Sequence, residues 1–114
     1  MAFSEENEDV LRRMRAKCDD LTQPRDIDFS VVFADEPSAR GFADQIGVTE
    51  ASLSIRRSEV APGLPWDVTV TKKMTPENEA VTEFEEFLAD IAVQYGGRND
   101  GWGCFNVVSE KNIQ

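Results

Sequence analysis

A glycine-rich stretch near the end of the chain, Tyr95 to Phe105, constrains the fold more than any other part of the sequence. Four of its eleven residues are glycines, and large aromatic rings stand between them. Such a stretch describes a backbone that turns tightly while it holds rings in place. We predict the end of a helix followed by entry into a strand, with a turn at Asp100-Gly101 and with Trp102 anchoring the strand. The glycine spacing is not that of a P-loop, which leads into a helix.

Length and charge narrow the class of protein. At 114 residues, of which 40% are hydrophobic, the chain is predicted to form one domain, residues 1–114. Its 22 acidic and 12 basic residues give a net charge of −10, which repels phosphate and favours a basic partner. Direct binding of nucleic acid is therefore not expected. Histidine is absent, which removes the commonest general base and transition-metal ligand, so we expect no cofactor and no metal.

Features of membrane and secreted proteins are not found in the sequence. There is no apolar run of about eighteen residues, and the opening lacks the basic and then apolar order of a signal peptide. We expect a cytoplasmic protein that does not associate with membranes. Cys18 and Cys104 are predicted to be reduced, buried thiols rather than a disulfide, because the chain has enough apolar residues for a core.

The first segment, residues 1–23, reads as an additional helix. Ser4 is a suitable N-cap, acidic residues follow it directly, and basic residues come later, the order that the helix dipole favours. A narrow apolar stripe at helical spacing supports the assignment. Pro24 ends the segment. The stripe consists of Val10, Leu11, Met14, Cys18 and Leu21.

Residues 26–108 alternate between strand and helix patterns. A period of two predicts strands at 26–34, 51–56, 66–71 and 102–108. Asp35, with Pro37 in the first turn, predicts the start of a short helix that ends at Gly47. A long helix is predicted to start at Thr75-Pro76. Its predicted inner face consists of Ala80, Val81, Phe84, Phe87, Leu88, Ile91 and Tyr95.

The element order predicts an α+β fold, the ferredoxin-like βαββαβ two-layer sandwich with an extra N-terminal helix. Right-handed crossovers place both helices on one face of a four-stranded antiparallel sheet, in the usual strand order 4-1-3-2. Serine, threonine and aspartate at the outward positions predict that the second face of the sheet is largely exposed to solvent, with Val32 as an exception. That face is open, or covered by the first helix or by a second copy of the chain. We expect a monomer or a weak homodimer.

Two motifs resemble those of a known family. Asp35-Glu36, Ala39 and Phe42-Ala43 follow the first strand, and Tyr95-Gly96-Gly97 leads into Asp100-Gly101-Trp102 after the long helix. Both resemble motifs of the family named for regulator of ribonuclease E activity B, although Asn99 stands where that family usually has tyrosine. The resemblance implies a cytoplasmic, non-enzymatic regulator, most familiar from bacteria, that binds ribonuclease E and lowers its activity.

Candidate binding residues lie in two places. If Phe84 is central to the buried face of the long helix, four acids point to solvent, and residues 77–90 contain six acids and no base. A face of one sign can be a solvated surface or can dock a basic peptide, such as a basic segment of a ribonuclease E-like endonuclease. Asp100 and Trp102 have two readings as well, a structural anchor or the border of a recognition pocket. The four acids are Glu79, Glu83, Glu86 and Asp90.

Other functions remain as alternatives. Ferredoxin-like domains can pair through their sheets and bind small molecules at the seam, so a dimeric small-molecule sensor is one alternative. An uncharacterised protein-interaction module is another. An enzyme is disfavoured, because no catalytic spacing of residues is present. The acids at 19, 20, 26 and 28 could hold calcium weakly, but they lack the calcium-loop pattern, and solvation is the favoured reading.

Overall fold

The computed structural model describes residues 4–16, 21–47, 51–58 and 62–104. It shows the predicted α+β sandwich, with an N-terminal helix ahead of a βαββαβ unit. The helices are α1 (Glu5–Ala16), α2 (Glu36–Ile46) and α3 (Asn78–Ala92), and a 3₁₀ turn, Val93–Tyr95, continues α3. The strands are β1 (Arg25–Phe33), β2 (Ala51–Arg57), β3 (Trp66–Met74) and β4 (Arg98–Gly103).

The four strands form one sheet in the order β2-β3-β1-β4, and all neighbouring strands are antiparallel. This is the predicted order, read from the other edge. The longest pairing joins β1 to β3, where Phe29 lies opposite Val70 and Val31 opposite Val68. Because β1 is central, its side chains on one face are enclosed by both neighbouring strands and by the helices.

The core lies between the sheet and helices α2 and α3. The period of two in β1 places Ile27, Phe29, Val31 and Phe33 on one face, and all four are 0 or 1% exposed. Each large apolar side chain removed from water contributes about 1.5–3 kcal/mol, so this layer supplies much of the folding free energy. Its largest members are Ile27, Phe29, Val31, Phe33, Phe42, Val68, Val70, Val81 and Leu88.

The second face of the sheet is mostly polar but has a buried centre. Asp67, predicted to be exposed to solvent, is only 6% exposed. It lies opposite Val32 of β1, which is 2% exposed. The Asp67 carboxylate accepts hydrogen bonds from Ser30 Oγ at 2.6 Å and from Thr69 Oγ1 at 3.1 Å. Neighbouring hydroxyl groups thus replace water around the acid, which is what burial of a polar group requires.

Two helix starts agree with the sequence and one does not. Ser4 Oγ accepts from the backbone N–H of Asn7, and Asp35 Oδ1 accepts from that of Ser38. The predicted start of the long helix at Thr75-Pro76 is wrong, because α3 begins at Asn78. Glu77 holds the cap position without a side-chain hydrogen bond.

The last strand begins earlier than predicted. Arg98 and Asn99 already pair with β1, and the described part of the strand ends at Gly103. The register skips between Asn99 and Trp102, so that Asp100 and Gly101 together oppose one residue of β1. The predicted Asp100-Gly101 turn is therefore a β-bulge, in which Gly101 has a φ of 104°. The part of the predicted strand at 105–108 lies outside the described residues.

Candidate functional site

Helix α3 presents three different sides to its surroundings. Val81, Leu88 and Ala92 are fully buried against the sheet. Thr82, also buried, lies under α1 and accepts a hydrogen bond from it. The remaining side of the helix faces solvent, and the charged residues of α3 are concentrated there.

The exposed side carries what we call the acidic stripe, defined as Glu79, Glu83, Glu86 and Asp90. All four residues are exposed, as the sequence predicted for that side of the helix. Glu79 and Glu83, like Glu86 and Asp90, are four residues apart and are therefore neighbours on the helix surface. No basic residue occurs in Asn78–Ala92, so each acid of the stripe has acidic neighbours on its own helix.

Asn7 attaches α1 to α3 and to β4. Its Nδ2 donates to Thr82 Oγ1 at 2.9 Å and to Glu85 Oε1 at 2.7 Å, while its Oδ1 accepts from Trp102 Nε1 at 2.9 Å. Asn7 is only 5% exposed, so every polar atom of its amide is used within the protein. The first helix therefore packs on the helical layer, and the alternative that it covers the second face of the sheet is wrong.

A second amide, that of Asn78, supports the same contact. Its Oδ1 accepts from the backbone N–H of Ser4 at 2.8 Å, and its Nδ2 donates to the Ser4 carbonyl at 2.8 Å and to Glu8 at 3.2 Å. The starts of α1 and α3 therefore satisfy each other's polar groups. Leu11, 2% exposed, adds an apolar contribution to the attachment of α1.

Glu85 differs from the acidic stripe although it lies on the same helix. It is half-buried and accepts the hydrogen bond from Asn7. Burial raises the pKa of Glu85, and the nearby charges of Glu6 and Glu86 act in the same direction, whereas the Asn7 hydrogen bond opposes them. Glu85 therefore belongs to the attachment of α1 and not to the solvent-exposed charge.

The two remaining candidate residues, Asp100 and Trp102, differ from the acidic stripe in their surroundings. Trp102 packs against the core and directs its indole N–H to Asn7, which is the geometry of a structural anchor. Asp100 is exposed at the bulge of β4. The described contacts bring Trp102 to α1, and none of them joins Asp100 or Trp102 to the acidic stripe.

The Tyr95-Gly96-Gly97 motif closes the helical layer onto the sheet. The Tyr95 hydroxyl donates a hydrogen bond to Gln45 Oε1 at 2.8 Å. A Cβ on Gly41 would lie only 2.6 Å from the Tyr95 ring, so the ring takes the space that a side chain at position 41 would need. Gly96 ends the 3₁₀ turn with a left-handed φ of 72°. A Cβ on Gly97 would lie 2.2 Å from the Phe33 ring. Gly96 is therefore required for its backbone conformation, and Gly97 is required because a side chain would not fit beside Phe33.

Beside the acidic stripe lies an apolar groove of about 310 Å³. Phe87, predicted to face inward, is 49% exposed and forms part of its wall, so that prediction is wrong. The ring of Phe87 stacks on that of Phe84, with 5.8 Å between centroids. We refer to this feature as the α3 groove; its lining residues are Lys72, Met74, Ala80, Glu83, Phe84 and Phe87.

Sequence reasoning missed the α3 groove and the role of Asn7 for different reasons. Phe87 follows Glu83 by four residues, so a helical projection places it next to the acids, and this signal was available. Asn7 is a single amide on a mostly polar helix, and no periodicity marks it. Only the packing of α1 on α3 shows what it bonds.

Among the residues that the structure describes, no group of three or more acids and cysteines is arranged to hold a metal ion. The acids at positions 19 and 20, for which solvation was favoured over a weak calcium site, lie outside the described residues. Cys18 does as well, and Cys104 is half-buried.

The whole of this arrangement, from the cap at Ser4 to Cys104 after β4, falls within one family match. Residues 4–104 match the sequence model of the family described as Regulator of ribonuclease activity B, RraB. The chain belongs to the RraB family. As a member of RraB it is assigned to the regulation of ribonuclease activity. A comparison with curated proteins finds no match.

The RraB resemblance read from the sequence is thereby confirmed, and its motifs now have structural roles. The first motif caps α2 through Asp35, and the second contains the two glycines and the Asn7 partner Trp102. Asn99, at the position where tyrosine is usual, donates from Nδ2 to the Glu85 carbonyl at 3.0 Å. None of the helices in the described residues has the length and apolar character needed to cross a bilayer.

Proposed function

We propose that this RraB protein binds a basic segment of a ribonuclease E-like endonuclease through the acidic stripe and so lowers the activity of that enzyme. The observation that carries the proposal is the stripe itself, four exposed acids on one side of a helix that contains no base. Family membership supplies the regulatory role, and the stripe supplies a surface on which that role can act. The action is by contact in the cytoplasm and includes no catalytic step.

Electrostatics supports a basic partner. Like charges four residues apart on a helix repel each other by about 0.2–0.5 kcal/mol per pair, and cations from a partner would relieve this repulsion. The net charge of −10 adds a wider field that draws in cations and speeds association. Since exposed charges are screened beyond roughly 8–10 Å at physiological ionic strength, the affinity should fall as salt is added.

The same charge argues that the protein does not inhibit the enzyme by binding the RNA itself. A surface of negative sign repels the phosphate backbone, so the protein would act on the basic regions of the enzyme that hold RNA rather than on the RNA. Covering such a region lowers the affinity of the endonuclease for its substrate. Inhibition of this kind should be overcome by excess RNA.

Charge reversal tests the proposal. In one variant Glu83, Glu86 and Asp90 become lysine; in a matched control Glu5, Asp26 and Asp44, also exposed, are changed in the same way. Fluorescence anisotropy with a labelled arginine-rich peptide measures the affinity of each. The stripe variant should bind at least about tenfold more weakly than the control, since each exposed pair contributes up to about 1 kcal/mol. Equal affinities of the two variants would contradict the proposal.

A further inference from the structure

The α3 groove borders the acidic stripe directly, and the two features share a residue. Glu83 belongs to the stripe and also lines the groove. Phe87 follows it by one helical turn, which places the two side chains about 5–6 Å apart at their Cβ atoms. An apolar surface and a negatively charged surface therefore meet along one side of α3.

The groove is held in shape from beneath. Phe84 makes an edge contact with the core residue Phe29, with 4.8 Å between the ring centroids. Phe87 stacks on the outer side of Phe84, and Lys72 Nζ lies 5.7 Å from the Phe84 ring centroid. Because the floor of the groove packs against the core, we expect little ordering of the groove on binding, which lowers the cost of binding.

The size and chemistry of the groove specify an occupant. Its volume of about 310 Å³ is at the lower end of the range for ligand sites, enough for one large apolar side chain. Glu83 lines the groove, and Glu79 and Glu86 are its neighbours on the helix surface, so three acids against the one lysine of the lining, Lys72, favour cations. An anionic small molecule would be repelled by these acids, whereas a peptide that places lysine or arginine beside an apolar residue matches both surfaces.

We propose that the α3 groove is an anchor site for a single large apolar side chain within the basic segment that the acidic stripe binds. This inference rests on the proposed function and deepens it, because the partner would then be recognised by an apolar residue flanked by basic ones and not by charge alone. The stripe would provide attraction and the groove would provide selectivity.

Two synthetic peptides of equal charge test the inference. Both are rich in lysine and arginine; one has a central leucine and the other has serine at that position. Because the leucine side chain would be buried in the groove, the leucine peptide should bind the full-length protein roughly tenfold more tightly. Anisotropy titrations at one fixed salt concentration give both affinities.

Variants of the groove separate its contribution from that of the stripe. Phe87→Ala should remove the preference for leucine while leaving the affinity for the serine peptide unchanged. Ala80→Met, which fills the groove with a good helix former, should have the same effect and guards against a folding defect in the first variant. Changing the stripe acids to lysine should weaken the binding of both peptides.

The possible results distinguish this inference from the proposed function. If wild type binds both peptides equally and the stripe variant binds neither, the groove inference fails and the proposed function stands. If stripe reversal leaves both affinities unchanged, the proposed function fails. A concentration-dependent dimer that Phe87→Ala dissociates would assign the groove to a second copy of the chain and would also overturn the inference.

Discussion

The indole N–H of Trp102 donates to Oδ1 of Asn7 across 2.9 Å and so ties the last described strand to the first helix. The two residues are 95 positions apart in the chain. Because Asn7 also donates to Thr82 and Glu85, one buried amide joins α1, α3 and β4. Through α1, this contact helps to hold the helix that carries the acidic stripe.

Truncation of Asn7 should destabilise the whole protein. Asn7→Ala removes three hydrogen bonds and leaves the Trp102 donor without its partner, which should cost about 2–3 kcal/mol. Urea denaturation followed by tryptophan fluorescence measures this change. Arg13→Ala, an exposed change in the same helix, is the control and should stay within about 0.5 kcal/mol.

A double-mutant cycle isolates the bond between the two side chains. Trp102→Phe keeps an aromatic ring but removes the donor, and should cost about 1 kcal/mol. Because the two side chains share this bond, the double variant with Asn7→Ala should be less destabilised than the sum of the single variants, by about 1 kcal/mol. Strict additivity would show that Trp102 and Asn7 act independently.

Gly97 should not tolerate a side chain. A Cβ at this position would lie 2.2 Å from the ring of Phe33, which is fully buried in the core. Gly97→Ala should therefore cost about 3 kcal/mol through overpacking. Gly103→Ala is the matched control, because a Cβ there has no atom within 4 Å. A similar unfolding midpoint for both variants would contradict the described packing of Phe33 on Gly97.

Glu85 should make the protein less stable as the pH rises. Burial raises the pKa of Glu85 in the folded protein above its ordinary value. The stabilisation by its protonated form is complete below the unfolded pKa and is lost as pH rises through the folded pKa. Glu85→Gln, which keeps an acceptor for Asn7, should therefore raise the melting temperature at pH 7.

The advantage of Glu85→Gln should shrink as the pH is lowered, because wild-type Glu85 then takes up its proton. Glu79→Gln, which removes an exposed charge of the same helix, provides the comparison. Melting curves between pH 4 and pH 8 are the measurement. An advantage that stays constant over this range would show that the proton on Glu85 is not involved.

Much of the fold could be predicted because its signals are local. The alternation along β1 places Phe29 and Val31 on the core side, and the cap at Asp35 depends only on its neighbours. The right-handed chirality of the two crossovers predicts both helices on one face, and the strand order is the usual one for this order of elements. The features that the sequence did not predict depend on contacts between side chains that no local pattern marks, such as the hydrogen bonds of buried Asp67 with Ser30 and Thr69.

The glycine-rich stretch shows where sequence reasoning stops. The sequence predicts a turn at Asp100-Gly101, but a turn and a bulge can both place a glycine at positive φ, and the sequence does not distinguish them. Phe87 illustrates a different problem. Assigning Phe87 to the core together with Phe84 and Leu88 made the predicted buried face of α3 too wide, and so concealed the α3 groove.

The most direct test of the account measures the activity of a ribonuclease E-like endonuclease in the presence of this protein. RNA cleavage is followed while wild type, the stripe variant with Glu83, Glu86 and Asp90 changed to lysine, and the charge-matched control are titrated. Wild type and control should inhibit cleavage, and the stripe variant should need at least about ten times the concentration. Inhibition by the folded stripe variant at the wild-type concentration would contradict the central claim that the acidic stripe binds the enzyme.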